Sequence, residues 1–297
     1  MVTPSTSCAA TARSGGDSVR CASRPGRTAA LVLVAVALTA GSACDPPKPP
    51  PGPPTFACRA DPFTAQLQAD LDAFGAAAHH VSAAVLDDRT GCWYHLRRGQ
   101  RVTTASVVKI EVMGATLLRA QDQNRGLNRS ESDRVARMIS TSDNAATTSL
   151  WGELGGERAM EAYGDRFGLV ATDEVQPLWG LTSTTAEDQA AFVERLLQLG
   201  PLSADRRGWA WLFLRDIRAD QRWGVRAGVP AGWEVGHKNG FADSACCGWR
   251  VNSVGYVADP AGGGYSIAVL SDGWSSMQQG IPMVEAVASA VAGSLAR

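Results

Sequence analysis

Ser106-Val107-Val108-Lys109 opens a run that is apolar nearly all round as far as Ala120, with Ile110, Val112, Met113, Leu117 and Leu118 following the lysine. A helix of that kind is buried centrally rather than laid on a surface. Residues i and i+3 share a helix face, so the Lys109 ammonium can reach the Ser106 hydroxyl. A serine hydroxyl is a poor nucleophile until a neighbouring base takes its proton. A lysine in apolar surroundings has its pKa lowered toward that role. The same four residues have a plain alternative: a helix-capping serine, then a lysine whose stem snorkels to solvent. Average composition yields roughly one SxxK in a chain of this length, so the motif decides nothing alone.

Two further elements lie downstream. Ser142-Asp143-Asn144 stands in a turn-forming stretch just before the helical Ala145 to Leu150. Ser142 can relay a proton to a leaving nitrogen and Asn144 can hold a substrate amide, although a helix-capping loop would use the same residues. His237-Lys238-Asn239-Gly240 follows the apolar Trp233-Glu234-Val235 and ends a predicted strand. Lys238 offers a positive charge for a carboxylate and for a proton relay, and Gly240 lets a substrate approach the backbone closely.

Hydrophobic spacing places these motifs. A helix is predicted from Asp61 to about Ala78, then strands from Val81 to Leu86 and from Cys92 to Leu96 across an Asp87 to Gly91 turn. Helical patterns dominate from Glu131 to Leu214. Strands resume at Trp233 to His237, Trp249 to Val257 and Tyr265 to Leu270, and Ile281 to Leu295 closes as a helix. The expected fold is therefore α+β, an antiparallel sheet of about five strands flanked by helices and interrupted by a helical subdomain. The expected catalytic domain runs from 58 to 297. Its α/β part is 58–105 with 225–297, and its helical part is 106–224.

SxxK, SDN and K-x-G in this order form the active-site set of class A β-lactamases and penicillin-binding proteins, and from about Asp61 to Arg297 the chain resembles the class A β-lactamase-like serine hydrolases. Trp179-Gly180-Leu181-Thr182 with Thr184-Thr185-Ala186 is similar, more loosely, to actinobacterial exported hydrolases of that superfamily. The resemblance implies that Ser106 is acylated, Lys109 is the base, Ser142 and Lys238 shuttle the proton, and Asn144 binds the acyl amide. Asn239, Gly240 and Phe241 would bind substrate, with the Ser106 and Phe241 N–H groups as oxyanion donors. Three departures accompany it. The stretch between Lys109 and Ser142 is short for the family. Asn239 stands where Thr or Ser is usual. Between Gly168 and Thr185 there is no ExxLN to activate a hydrolytic water, leaving Glu174 or Asp173 as stand-ins. Acylation is thus expected to be intact and deacylation impaired. The implied substrate is a β-lactam or, alternatively, a peptidoglycan stem peptide cut by a D,D-peptidase or transpeptidase. A third reading is a tethered protein that traps such ligands without turnover.

Composition narrows the partners. With 297 residues and a net charge of −1, the chain has no surplus charge aimed at nucleic acid. The cysteines and the four histidines show no zinc spacing and no HExxH, so neither metal nor cofactor is expected, and the domain is expected to act as a monomer. Most of the nine tryptophans, among them Trp209, Trp211 and Trp223, read as packing rather than as a glycan groove. Arg20, Arg24 and Arg27 precede the apolar Ala29 to Ala40, and Gly41-Ser42-Ala43-Cys44 completes an export signal with a lipobox-like end. Residues 1–44 are thus expected to be a leader whose Cys44 takes a lipid, giving a membrane-anchored, outward-facing protein; cleavage without lipidation would give a secreted one. The Pro-rich 45–57 reads as an extended spacer. Cys58, Cys92, Cys246 and Cys247 allow three pairings. Cys58 before the first helix and Cys92 in the early hairpin are the favoured pair, with Cys246 and Cys247 reduced or paired elsewhere.

Overall fold

The computed structural model describes residues 57–75, 80–244 and 247–296. Cys44, the rest of the leader and nearly all of the Pro-rich spacer lie outside the described residues.

Helix α1 (Ala65–Ala73) is shorter than its periodicity predicts. Thr64 caps it by accepting a hydrogen bond from Leu67 N–H, and Gly75 leaves it at φ 83°. The hairpin β1 (His80–Asp87) and β2 (Cys92–Leu96) turns through Gly91 at φ 72°. The Cys58–Cys92 disulfide, with Cα atoms 5.7 Å apart, ties the segment before α1 to β2. Cys247 is disulfide-bonded as well.

Strands β5 (Glu234–Ala242), β6 (Arg250–Ala258) and β7 (Gly264–Asp272) complete one antiparallel sheet in the order β2-β1-β7-β6-β5. The α+β fold with five antiparallel strands matches the expectation. Alternation along β1 divides the core: Val81, Ala83 and Val85 pack toward α1 and α8 (Met277–Leu295), whereas Ala84 faces the other layer. That layer is centred on α2 (Val108–Asp122), buried along almost its whole length, with α3 (Arg129–Ser140), α4 (Asn144–Leu154) and α5 (Glu157–Phe167) around it. Helix α6 (Ala186–Glu194) packs directly on β1 and β7, and α7 (Ala204–Arg215) packs on β5. The helices between 106 and 224 therefore share one core with the sheet rather than forming a detached block.

Two features are not anticipated by the periodicity. β3 (Arg101–Thr103) and β4 (Ser183–Thr185) pair as a small second sheet. β5 also runs beyond the predicted end, so that Lys238, Asn239, Gly240 and Phe241 lie within an edge strand rather than after it. Among the described residues no helix is long and apolar enough to cross a membrane.

Candidate active site

Ser106 lies in a single 3-10 turn, Ala105–Val107, that leads into α2. It is the one residue between Thr104 and Leu118 that is not buried. Its backbone is held from three directions. Thr104 N–H donates to the Thr182 carbonyl at 2.8 Å, and the Asn252 amide donates to the Thr103 and Thr104 carbonyls at 2.9 and 3.1 Å. Edge strand β5 closes the third side at Gly240. A Cβ built there would stand 2.7 Å from Thr104 O, 2.8 Å from Val107 N and 2.9 Å from Ser106 N, so only glycine admits this approach. Ala105, immediately before the serine, has φ 47°, a strained left-handed conformation for a residue with a side chain. The capping alternative for Ser106 fails here: Val107 occupies the cap position of α2, and no side-chain capping bond is made.

Lys109 does not snorkel either. It is fully buried, and its Nζ donates to the Ser142 carbonyl at 2.7 Å, to Ser142 Oγ at 2.9 Å and to Asn144 Oδ1 at 2.7 Å. Two local features of the SDN segment present these acceptors. Ser142 adopts φ 58°, and Asp143 caps α4 by accepting from Ala146 N–H at 2.9 Å while pairing with Arg137. The Trp179 ring covers Lys109 Nζ, with its centroid 4.9 Å away. Burial pulls the Lys109 pKa down to about 8, with the nearby Asp143 charge opposing the shift.

Lys238 is buried on β5. Its Nζ donates to the Asn239 carbonyl at 2.9 Å, and no hydrogen bond joins it to Ser142. Burial, reinforced by the Lys109 charge, lowers its pKa to about 7. Asn239 faces away from the serine. Its amide donates to the Gln221 and Trp223 carbonyls at 2.8 and 3.3 Å and accepts from Ser253 Oγ at 2.7 Å. Its side-chain N–H groups thus tie the 221–223 segment to the sheet and its Oδ1 ties β5 to β6, and it does not line the pocket at Ser106. Next to it, His237 Nε2 contacts the Gln221 carbonyl at 3.1 Å, and burial holds the ring neutral with a pKa near 3.

The serine opens into a cavity of about 460 Å³ bordered by Asn144, Thr148, Trp179, Phe241 and Arg250. Sequence reasoning missed Arg250. It opens β6 opposite Ala242 of β5 and is 8% exposed, with no ion pair among the described residues. A guanidinium at the head of an otherwise uncharged strand, next to the K-x-G strand, was the available signal. The cavity's acidic side chain is Asp243, exposed at the end of β5.

Glu174 is elsewhere. It is buried against Glu111 of α2, with Thr182 Oγ1 donating to its Oε2 at 2.8 Å. Glu111 accepts from Gln189 at 2.8 Å. Glu111 Oε2 and Glu174 Oε1 have no donor of their own, and burial raises both pKa values, so one proton shared between the carboxyls satisfies the pair. Asp173 is exposed and paired with Arg101. Neither carboxylate lines the cavity.

Comparison with known proteins agrees with this architecture. A sequence model of the beta-lactamase enzyme family matches residues 121–295, more than half of the chain; the match includes Ser142, Asn144 and Lys238 but begins after Ser106 and Lys109. "Putative lipoprotein LppW" of Mycobacterium tuberculosis strain H37Rv is 26% identical over 225 residues, 72% of this chain and 70% of that protein. The reconstructed class A beta-lactamase of the last common ancestor of Gram-negative bacteria superposes with a TM-score of 0.69 at 23% identity, covering 77% of this chain and 99% of its own. A beta-lactamase from Desulfarculus baarsii superposes with a TM-score of 0.66 at 20% identity, covering 77% and 97%. With a five-stranded antiparallel sheet and more than half its length matched, this chain belongs to the beta-lactamase enzyme family.

Proposed function

We propose that the protein is an active-site serine acyltransferase-hydrolase that opens β-lactams by forming an ester at Ser106, with release of that ester as the slow step. One observation carries the reading. A half-buried serine on a backbone strained at Ala105 opens into a cavity that Asn144 also lines, and behind it the buried Lys109, three residues on, is hydrogen-bonded to Ser142 and Asn144.

In the first half-reaction Ser106 Oγ attacks the lactam carbonyl. Its proton passes to Lys109 and through Ser142 Oγ, 2.9 Å from Lys109 Nζ, to the departing nitrogen. The N–H groups of Ser106 and Phe241 supply the oxyanion donors, because Gly240 brings the β5 edge against the Ser106 backbone. Asn144 lines the cavity and receives the acyl amide, while Arg250, which lines it too, provides positive charge for the substrate carboxylate. Asn239 acts as a positioning residue that fixes 221–223 to β5.

The second half-reaction needs a water activated beside the ester. The cavity borders include no buried carboxylate, and Glu174 is engaged by Glu111 and Thr182. The same feature favours a second reading, acyl transfer on peptidoglycan stem peptides, in which an amine rather than water accepts the acyl group. Cys44 is proposed to carry the lipid that anchors the protein facing outward; the mycobacterial relative's name as a lipoprotein supports this. The test of function is intact mass of the purified chain with a labelled penicillin over time. An adduct that persists on the native chain and is absent from Ser106→Ala supports the reading, and labelling of both at one rate refutes it.

A further inference from the structure

We propose that Trp179 is the residue that shields the acyl-enzyme from water: its indole roofs the general base, and removing it converts a persistent ester into a hydrolysed one. The proposal rests on the reading that Ser106 is acylated with Lys109 as base.

Trp179 begins a short 3-10 turn, Trp179–Leu181, and lines the cavity together with Ser106 and Asn144. Its ring lies over Lys109 Nζ with the centroid 4.9 Å away, and the nitrogen's three N–H groups are directed to Ser142 O, Ser142 Oγ and Asn144 Oδ1. Lys109 itself has no exposed surface, whereas Trp179 lines the cavity into which Ser106 opens.

The indole is also fixed in place. Its Nε1 donates to Thr148 Oγ1 at 3.2 Å on α4. The loop that carries it is pinned at its base, where the Asp173 and Ser183 backbones exchange hydrogen bonds at 2.8 and 3.0 Å. Inside the loop, Thr182 holds Glu174, Glu157 accepts from Gln176 N–H at 2.8 Å, and Leu181 N–H closes onto the Leu178 carbonyl at 2.7 Å. The ring is thus fixed by one hydrogen bond of its own, and the loop that carries it by the others.

Hydrolysis requires a water oxygen to bond to the ester carbonyl carbon and the bond to Ser106 Oγ to break. The water's proton must pass by way of neutral Lys109 to Oγ, leaving a carboxylic acid and the free serine. Acylation needs no water, because the nucleophile is part of the chain. A roof over Lys109 therefore impedes the second half-reaction selectively.

The test uses the full chain as wild type, Trp179→Phe and Trp179→Ala. Each is loaded with a chromogenic cephalosporin and freed of excess, and loss of the adduct is followed by intact mass. Trp179→Ala is expected to shed its adduct at least about tenfold faster, within the ~10²-fold low end of what a general base contributes, while Trp179→Phe keeps the wild-type lifetime. Equal lifetimes for wild type and Trp179→Ala, or slower acylation with an unchanged lifetime, overturn the proposal and make Trp179 a substrate contact only. A second measurement does not depend on acylation. The lysines of the chain are Lys48, Lys109 and Lys238, so acetic anhydride labelling resolved by peptide mass reports each one. Lys109 is expected to be protected in wild type and, relative to Lys48, to react about tenfold faster in Trp179→Ala. Unchanged Lys109 reactivity overturns the shielding even if no variant takes an acyl group, an outcome that separately refutes the function proposed above.

Discussion

Gly240→Ala places one methyl group against the backbone that presents Ser106. The added carbon would meet Thr104 O at 2.7 Å, Val107 N at 2.8 Å and Ser106 N at 2.9 Å, whereas ordinary contact begins near 3.4 Å. All three neighbours are main-chain atoms that cannot rotate aside, and Asn252 and Thr182 hold the same segment from the other directions. Relief therefore requires β5 and the serine turn to separate by about 0.7 Å at the closest contact. Misplacement of about 1 Å at a reacting centre costs roughly 10²-fold in rate, so acylation of Gly240→Ala is expected to fall by about two orders of magnitude. Circular dichroism and the unfolding midpoint should change little, because the remaining ladder between β5 and β6 is retained. The assay is the second-order rate of labelling by a fluorescent penicillin. A rate within threefold of wild type would show that the approach of β5 to Ser106 is not what prepares the serine.

Three other outcomes follow from the same structure. Lys109 must be neutral to act as base and its pKa lies near 8, so the acylation rate is expected to climb with pH through about 8 and then level off; a profile flat from pH 6 to 9 would contradict that role. The Cys58–Cys92 bridge closes a sequence separation of 34, so joint replacement by serine should lower unfolding free energy by about 4 kcal/mol in the chain-entropy account, read by urea denaturation; a loss under about 1 kcal/mol would show that the bridge constrains little. His237 binds a proton in the unfolded chain below its ordinary pKa of about 6.5 but in the folded chain only near 3. The associated stability is complete above pH 6.5 and is lost as pH falls, by about 2–3 kcal/mol at pH 4.5; His237→Gln should abolish that part of the acid sensitivity.

The strands and the three motifs were legible because each depends on local pattern. Period-two apolar runs gave β1, β6 and β7, and a helix apolar on all sides announced its own burial in α2. What stayed hidden depends on contacts between distant segments. The length of β5 is set by pairing with β6, which carries the ladder through polar Lys238 and Asn239 as far as Ala242. Asn239 reads in sequence as a variant of a substrate-binding position, yet its amide meets Gln221 and Trp223, and no local signal reports which partner a side chain will find. The Gly168 to Thr185 segment correctly showed a missing ExxLN. Its replacement, an indole over Lys109, arises only because the loop folds across α2 from 70 residues downstream. Arg250 was passed over because a single charge at the head of an otherwise uncharged strand is ordinary until the neighbouring strand is known.

The central claim is that Ser106 is acylated readily and released slowly. Rapid mixing of the full chain with a chromogenic cephalosporin tests it most directly. The predicted course is a burst close to one equivalent of opened lactam followed by a slow steady rate, with both phases absent from Ser106→Ala. A fast linear course without a burst, lost on Glu174→Gln, would contradict the account, for it would mean that a carboxylate buried against Glu111 activates water at the ester after all.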